Sequence, residues 1–314
     1  MFKAFASARE SLLILMDPLL AHSSQADPFV RLHGMLFARL QLDLFDDQVD
    51  LFFDSWGNNM EDRTDTQWAL FAISNIAALY QYNRKDSRLK EALRQGRREK
   101  REAEQEEMVA VEDPADSGDT ILPTSPLTDN LHTGMANVDR APEQFRNITN
   151  TSMDDDISLS TIVFDKTCQF SFALLSEALN SGQEAGPVIH VHIWLVFLVY
   201  ALKYQSVVRL LERNVPWQEL TDFLNEITID EDEWKQVLEM KDLPGSVLPE
   251  DSIMRGFEWS RKLFPKDWFQ GFDPLDDLED FSKSNGNVVD SREFRILTLG
   301  LQITKVPLLS AVLM

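Results

Sequence analysis

His190 and His192, set two residues apart, and the adjacent carboxylates Glu250 and Asp251 are the pairs in this chain whose types and spacing could do chemistry. On a strand, a His-x-His pair shares one face and can offer two imidazoles to a metal. On a helix the same two residues diverge by about 200°, and no cysteine or carboxylate cluster adjoins them in sequence. They are therefore expected to be core histidines hydrogen-bonded to neighbouring helices, as is His33. Adjacent acids do not naturally face each other, whereas a general acid/base pair must converge on one substrate atom. The motif LPEDSIMRGF (Leu248–Phe257) reads better as architecture. Leu248 seals the core, and Pro249, Glu250 and Asp251 start a helix with negative charge at its positive end. Arg255, four residues after Asp251, is within reach of a same-face ion pair, and Gly256 permits close packing. The acids of Asp273–Asp280 (DPLDDLED) lack the glycine placement and terminal Glu of a calcium-binding helix–loop–helix, so they read as a solvated loop. The lone cysteine, Cys168, sits in an apolar context as a small buried hydrophobe. No GxSxG, glycine-rich phosphate loop, HExxH or paired CxxC occurs. No catalytic residue, metal, cofactor or small-molecule substrate is expected.

These residues sit on elements that read as helices throughout. Val188–Leu202 is apolar except for the two histidines, too short to span a bilayer comfortably, and suited to a helix sealed inside a helical protein. Its periodicity continues through Val207, Val208, Leu210 and Leu211, which predicts one long element. Pro216 suits a first helical position, and Trp217, Leu220, Phe223, Leu224 and Ile227 then define one apolar face. The short link Arg213–Val215 predicts that the two helices form an antiparallel hairpin. Upstream, helices are expected over 1–21, from Asp27-Pro28 to about Leu40, from about Phe45 to Trp56, and from Asp65 to about Tyr82. Another runs from about Leu159 to Leu179, closed by Asn180-Ser181-Gly182, and a last one from Arg292 to about Lys305. IDEDEWKQVLEMKD reads as an acidic connector.

The charge balance narrows the partners. A formal charge of −22 disfavours non-specific attraction to phosphate backbones. The exception is Arg84–Arg101, where nine Lys/Arg against three Asp/Glu give +6. Arg94, Arg97, Arg98, Lys100 and Arg101 are the candidate nucleic-acid contacts, although such runs are usually solvated helix surface and few aromatics adjoin them for base stacking. From there to about Asp156 the chain is rich in Asp, Ser, Thr, Pro and Asn without a sustained period, which predicts a disordered insertion. The organisation expected is N-terminal helical hairpins over 1–83, a charged helix and disordered insertion over 84–158, and a C-terminal helical-hairpin domain over 159–314. The fold class is all-α, antiparallel hairpins stacked as a tetratricopeptide-like α-superhelix. One cysteine, no continuous signal-like core and no spanning segment fit an intracellular protein.

Four blocks carry a resemblance to a known family. They are FVRLHGMLF (Phe29–Phe37, with His33 and Gly34), PVIHVHIWLVFL (Pro187–Leu198) leading to VPWQELTDFLN (Val215–Asn225, with Pro216 and Trp217), LPEDSIMRGF (Leu248–Phe257), and REFRILTLGLQI (Arg292–Ile303). In this order they resemble the helical-hairpin part of the ever-shorter-telomeres type of DNA/RNA-binding domain, found in telomerase accessory proteins and the SMG proteins of nonsense-mediated mRNA decay. The resemblance implies a non-enzymatic adaptor of the nucleus and cytoplasm, with RNA-surveillance or telomerase proteins as partners and contact with RNA or DNA. It covers neither a preceding 14-3-3-like domain nor a PIN nuclease, so phosphopeptide reading and nuclease activity are not carried over. The alternative it leaves is a diverged or truncated helical interaction scaffold without a decay or telomere role.

Overall fold

The computed structural model describes residues 27–56, 63–110, 153–182, 184–229, 231–239, 247–270 and 286–305. Every regular element among them is helical: α1 (Pro28–Ala38), α2 (Phe45–Trp56), α3 (Asp65–Leu79), a short turn Gln81–Asn83, α4 (Arg88–Ala110), α5 (Met153–Asn180), α6 (Ala185–Ala201), α7 (Gln205–Leu211), α8 (Trp217–Glu226), α9 (Glu231–Glu239), α10 (Pro249–Met254) and α11 (Gly286–Thr304). The fold is all-α, as the sequence predicts. The expected first helix, the acidic run Asp273–Asp280 and most of the expected insertion lie outside the described residues.

Local chemistry sets the helix starts. The Asp27 carboxylate accepts from the Phe29 amide at 2.8 Å, and Pro28 sits in the first turn of α1. At α3, the Gln67 amide donates to Thr64 Oγ1 (3.3 Å) and the Thr64 amide to Gln67 Oε1 (2.9 Å), a reciprocal capping box. The core gathers around α6. Its residues from Gly186 to Val199 are all buried, and α3, α5, α10 and α11 pack against it. A helix apolar on every side has no solvent face to offer, so its neighbours must surround it.

Several expectations change in detail. The apolar stretch predicted as one long helix is broken at Leu202–Tyr204 into α6 and α7. The break directs α7 onto α4: Ser206 Oγ donates to the Ala92 carbonyl at 2.7 Å, and a Cβ added to Gly96 would lie 2.5 Å from Tyr204 Cβ. Periodicity sees only which residues are apolar, and both α6 and α7 continue that pattern. Pro216 is the cap preceding α8 rather than its first residue. The expected hairpin partner is also different, because α8 packs on α5 and α11. The acidic connector contains α9, α5 starts at Met153, and α11 starts at Gly286. The basic run is not merely solvated: Leu89 and Leu93 of α4 are buried, and α4 packs on α5 and α7.

Candidate functional site: a closed ionic cluster in the helical core

The adjacent acids of α10 do converge with other groups, but on arginines rather than on a substrate. The Glu250 carboxylate accepts from Arg292 Nε at 2.6 Å and Arg292 Nη2 at 3.1 Å, and from His192 Nδ1 at 3.0 Å. Asp251 accepts from Arg295 Nη1 at 2.9 Å, from Trp268 Nε1 at 3.1 Å, and from the Leu248 amide at 2.9 Å, which ties back the start of α10. The Arg295 guanidinium also lies 5.1 Å from the Trp268 ring centre. Glu250, Asp251, His192 and Arg295 are fully shielded from solvent, and Arg292 is only 3% exposed. The two carboxylates and the two guanidiniums balance one another in charge.

Why this is stable follows from the count of hydrogen bonds. A buried carboxylate without partners would hold its proton instead. For Glu250, burial pushes the pKa upward, yet the Arg292 charge and the hydrogen bonds from His192 and Arg292 outweigh it and hold the carboxyl well below its usual range. Arginine suits this role because its planar fork matches a carboxylate and stays charged. The spacing is legible afterwards: Arg292 and Arg295 are three apart on one face of α11, opposite two consecutive acids at the start of α10. The helices α6, α10 and α11 are thereby clasped.

Two parts of the sequence reading of this motif are corrected. Asp251 pairs with Arg295, not with Arg255; the Arg255 guanidinium instead lies 4.9 Å from the Phe269 ring centre. Gly256 does not mediate close packing, since a Cβ there would have no heavy atom within 4 Å. Its requirement is conformational, with φ at +91°, where an L side chain is strained. Gly256→Leu is therefore expected to destabilise by about 1–3 kcal/mol, read as a lower urea midpoint, and Gly256→Ala by a similar amount. A Leu variant much worse than the Ala variant would restore the packing explanation.

The other flagged histidines are satisfied in the core, as expected. His190 Nδ1–H donates to the Trp68 carbonyl at 3.1 Å, and its Nε2 accepts from Trp194 Nε1 at 3.0 Å, which fixes a neutral tautomer. His192, on the same helix, turns to α10 instead of joining it. Burial pushes His190 down to about 4, opposed by the Trp68 carbonyl. His33 lies 3.1 Å from Asn75 Oδ1, through Nε2, and 2.8 Å from Tyr82 Oη, through Nδ1. Burial pushes it to about 4 as well, against the Asn75 hydrogen bond. Gly34 is buried beside it on α1. Among the described residues no group of three or more His, Cys, Asp or Glu is placed to hold a metal ion. Cys168 is buried, and burial raises its thiol pKa well above the usual value, away from the reactive thiolate.

Sequence reasoning did not find the turn that joins these groups to α4. Gln81, Tyr82 and Asn83 all have positive φ, at 48°, 51° and 66°, a left-handed turn without glycine. Each such residue costs on the order of 1–3 kcal/mol, and each has a side-chain anchor. Gln81 Nε2 donates to the Ser160 carbonyl at 2.8 Å, while its Oε1 accepts from the Arg88 amide at 2.9 Å. Tyr82 meets His33, and Asn83 Oδ1 accepts from Lys90 Nζ at 2.9 Å. Nothing in the local sequence except Asn83 favours the left-handed region.

The proposed nucleic-acid contacts divide on α4. Arg97 gives its guanidinium to Tyr200 Oη (2.6 Å) and to Glu258, so it is engaged within the chain although its side chain stays 36% exposed. Arg94 pairs with Glu91, and Lys100 lies 3.9 Å from Glu104. Arg98 and Arg101 are exposed. The basic surface extends beyond the run: burial, then the positive charges of Lys262 and Lys100, lower the pKa of Lys203. Trp217 is part-buried at the start of α8, with Nε1 donating to the Glu212 carbonyl at 2.8 Å. Leu248 is fully buried, the seal the sequence predicts, and Pro249 opens α10. No helix among the described residues is long and apolar enough to cross a membrane. Comparison of the chain with known proteins finds no matching family model, no matching curated protein and no matching solved structure.

Proposed function

We propose that this chain is a non-enzymatic adaptor of the kind its four sequence blocks resemble, working through protein contacts in RNA surveillance or telomere maintenance. The observation that carries the reading is the clasp. Three of the four blocks are locked together by it: His192 from the second, Glu250 and Asp251 from the third, and Arg292 and Arg295 from the fourth. The first block joins the same core through α1 and α3, where His33 meets Asn75. Residues that suggested a family by their order thus have a shared physical task, which supports a common architecture. The finer form of that architecture is a set of antiparallel hairpins stacked as an α-superhelix, with the segment between α4 and α5 as a disordered insertion. A non-enzymatic role is supported by how the ionisable core groups are used. Each acid of the clasp is neutralised by an arginine and closed to solvent, which suits a fixed scaffold better than proton transfer.

In this reading the chain works in nucleus and cytoplasm, presents helix faces to protein partners, and contacts RNA or DNA through the exposed part of the basic surface. The test is affinity capture of the chain from cell extract with and without nuclease, read by mass spectrometry. Recovery of decay factors or telomerase subunits is expected. Their loss on nuclease treatment would assign the link to nucleic acid, and recovery of neither set would leave a diverged helical scaffold and end the proposal.

A further inference from the structure

Arg97 sits where three parts of the fold meet. From α4 it donates to Tyr200 Oη at 2.6 Å, at the end of α6, and it pairs with Glu258 in the turn that follows α10. Tyr204, in the break between α6 and α7, lies against α4: its Cβ would be 2.5 Å from a Cβ added to Gly96. The ring centres of Tyr200 and Tyr204 are 6.2 Å apart. Lys100, one turn along α4, Lys203, beside Tyr204, and Lys262, in the turn that carries Glu258, bring three ammonium groups to the same face. We infer that this face is a binding site for a compact, soluble anion carrying two or more phosphoryl groups, and that Glu258 occupies part of it in the free chain. The inference goes beyond the adaptor reading and does not depend on it.

Two features of the face lack a partner within the described chain. The first is charge. Burial, then the positive charges of Lys262 and Lys100, lower the pKa of Lys203, so these cations lie close enough to oppose one another. Arg97 and Lys100 have Glu258 and Glu104 as counter-charges, whereas among the described residues neither Lys203 nor Lys262 makes an ion pair. Like charges held together in this way cost free energy that a bound anion relieves. The second feature is a hydroxyl. Tyr80 Oη is shielded from solvent and has no hydrogen-bond partner, a costly state for a polar group. Burial, then Tyr200 and Glu258, raise the pKa of this phenol against the pull of Arg97, so it borders the same cluster. A phosphoryl oxygen beside Arg97 would supply the acceptor it lacks.

Charge balance selects the ligand. Arg97, Lys100, Lys203 and Lys262 set against Glu258 and Glu104 leave a surplus of two positive charges, and three once Glu258 is displaced. A single carboxylate does not balance this, whereas each phosphomonoester brings about −1.5 to −2 and oxygens that suit a guanidinium fork. Size is set by the surroundings. Just beyond Arg101, α4 exposes Glu102, Glu104 and Glu106, and the chain as a whole carries −22. An extended phosphate backbone would run onto that acidic surface, while a compact anion meets only the basic cluster. Tyr200 and Tyr204 are half-buried and lack the open ring faces on which bases stack. Glu258 is exposed and lies outside the helices, so it can yield its place without disturbing one.

The test is isothermal titration of the full chain at physiological salt, with inositol hexakisphosphate, tripolyphosphate and orthophosphate as probes. At least one of the two multiply phosphorylated probes should bind, with orthophosphate about tenfold weaker or more. Lys203 and Lys262 are exposed, so the pair variant Lys203→Glu with Lys262→Glu should keep the wild-type urea midpoint. Its affinity for the probe should fall about 100-fold, roughly tenfold for each reversed charge. Glu258→Gln should raise the affinity several-fold, whereas Glu91→Gln, the same change elsewhere on α4, should not. Tyr80→Phe should stabilise the free chain yet weaken binding a few-fold, opposite signs that a purely structural hydroxyl would not give. Equal gains from Glu258→Gln and Glu91→Gln would mean diffuse attraction and overturn the proposal. So would no binding of either multiply phosphorylated probe, an affinity untouched by the lysine reversals, or tighter binding of a short single-stranded RNA.

Discussion

Acidification from about pH 6.5 to about pH 4 is expected to remove on the order of 3 kcal/mol of stability for each of His33 and His190. Both are neutral in the folded protein and held down to about 4 by burial, against an ordinary value of 6.5. Between those values the unfolded chain binds a proton at each site and the folded chain does not, so falling pH favours unfolding. The contribution is fully present above 6.5 and gone below about 4. Glu250 acts in the same direction further down: its folded pKa is depressed, so its stabilisation is present above the unfolded carboxylate value and fades as pH falls through the folded one. Urea denaturation across this range should show a steep decline. In His190→Gln about half of the slope between pH 6.5 and 4 should disappear. A flat profile in the wild-type chain would mean that the two imidazoles are not held neutral by the core.

Loss of one arginine from the clasp is the other large effect. Arg295→Met keeps the bulk of the side chain but leaves Asp251 as a buried carboxylate that has lost its own arginine and keeps the hydrogen bonds from Trp268 Nε1 and the Leu248 amide. Removing one partner of a buried pair typically costs ~3–5 kcal/mol, far more than a surface pair is worth. The pair variant Arg295→Met with Asp251→Asn should recover most of that loss. It removes the stranded charge, and the Asn carbonyl can still accept from Leu248. The measurement is the urea midpoint of the three proteins. If the single variant unfolds where the wild type does, or if the pair loses as much as the single, the clasp is not a coupled ionic unit.

The parts of this fold legible in the sequence are those encoded by local grammar. Asp27-Pro28 announces α1, the expected bounds of α2, about Phe45 to Trp56, are the ones it has, and the apolar run from Val188 declares a buried helix. Local grammar also placed His190 and His192 on different sides of that helix. It did not show where each would go, because Trp68 and Glu250 are 122 and 58 residues away. The Arg255–Asp251 pairing failed for the same reason. Same-helix spacing is visible in sequence, whereas Arg295 reaches Asp251 only through a tertiary contact. The left-handed turn at Gln81–Asn83 was invisible because its conformation is imposed by side-chain anchors on α1, α4 and α5, not by residues that prefer it.

The clasp also bears on the order in which the chain folds. Its groups come from positions 192, 250, 251, 292 and 295, so closing it requires two long loops to have been closed already. Burying one acid before its arginine arrives raises the free energy, so partial assembly gains nothing. Closure is therefore expected to be a late event, following the apolar contacts of α6 with α3 and α5. Interactions formed after the transition state mainly slow unfolding. The cluster's largest consequence is thus for the lifetime of the folded molecule: removing an arginine should speed unfolding while leaving the refolding rate nearly unchanged.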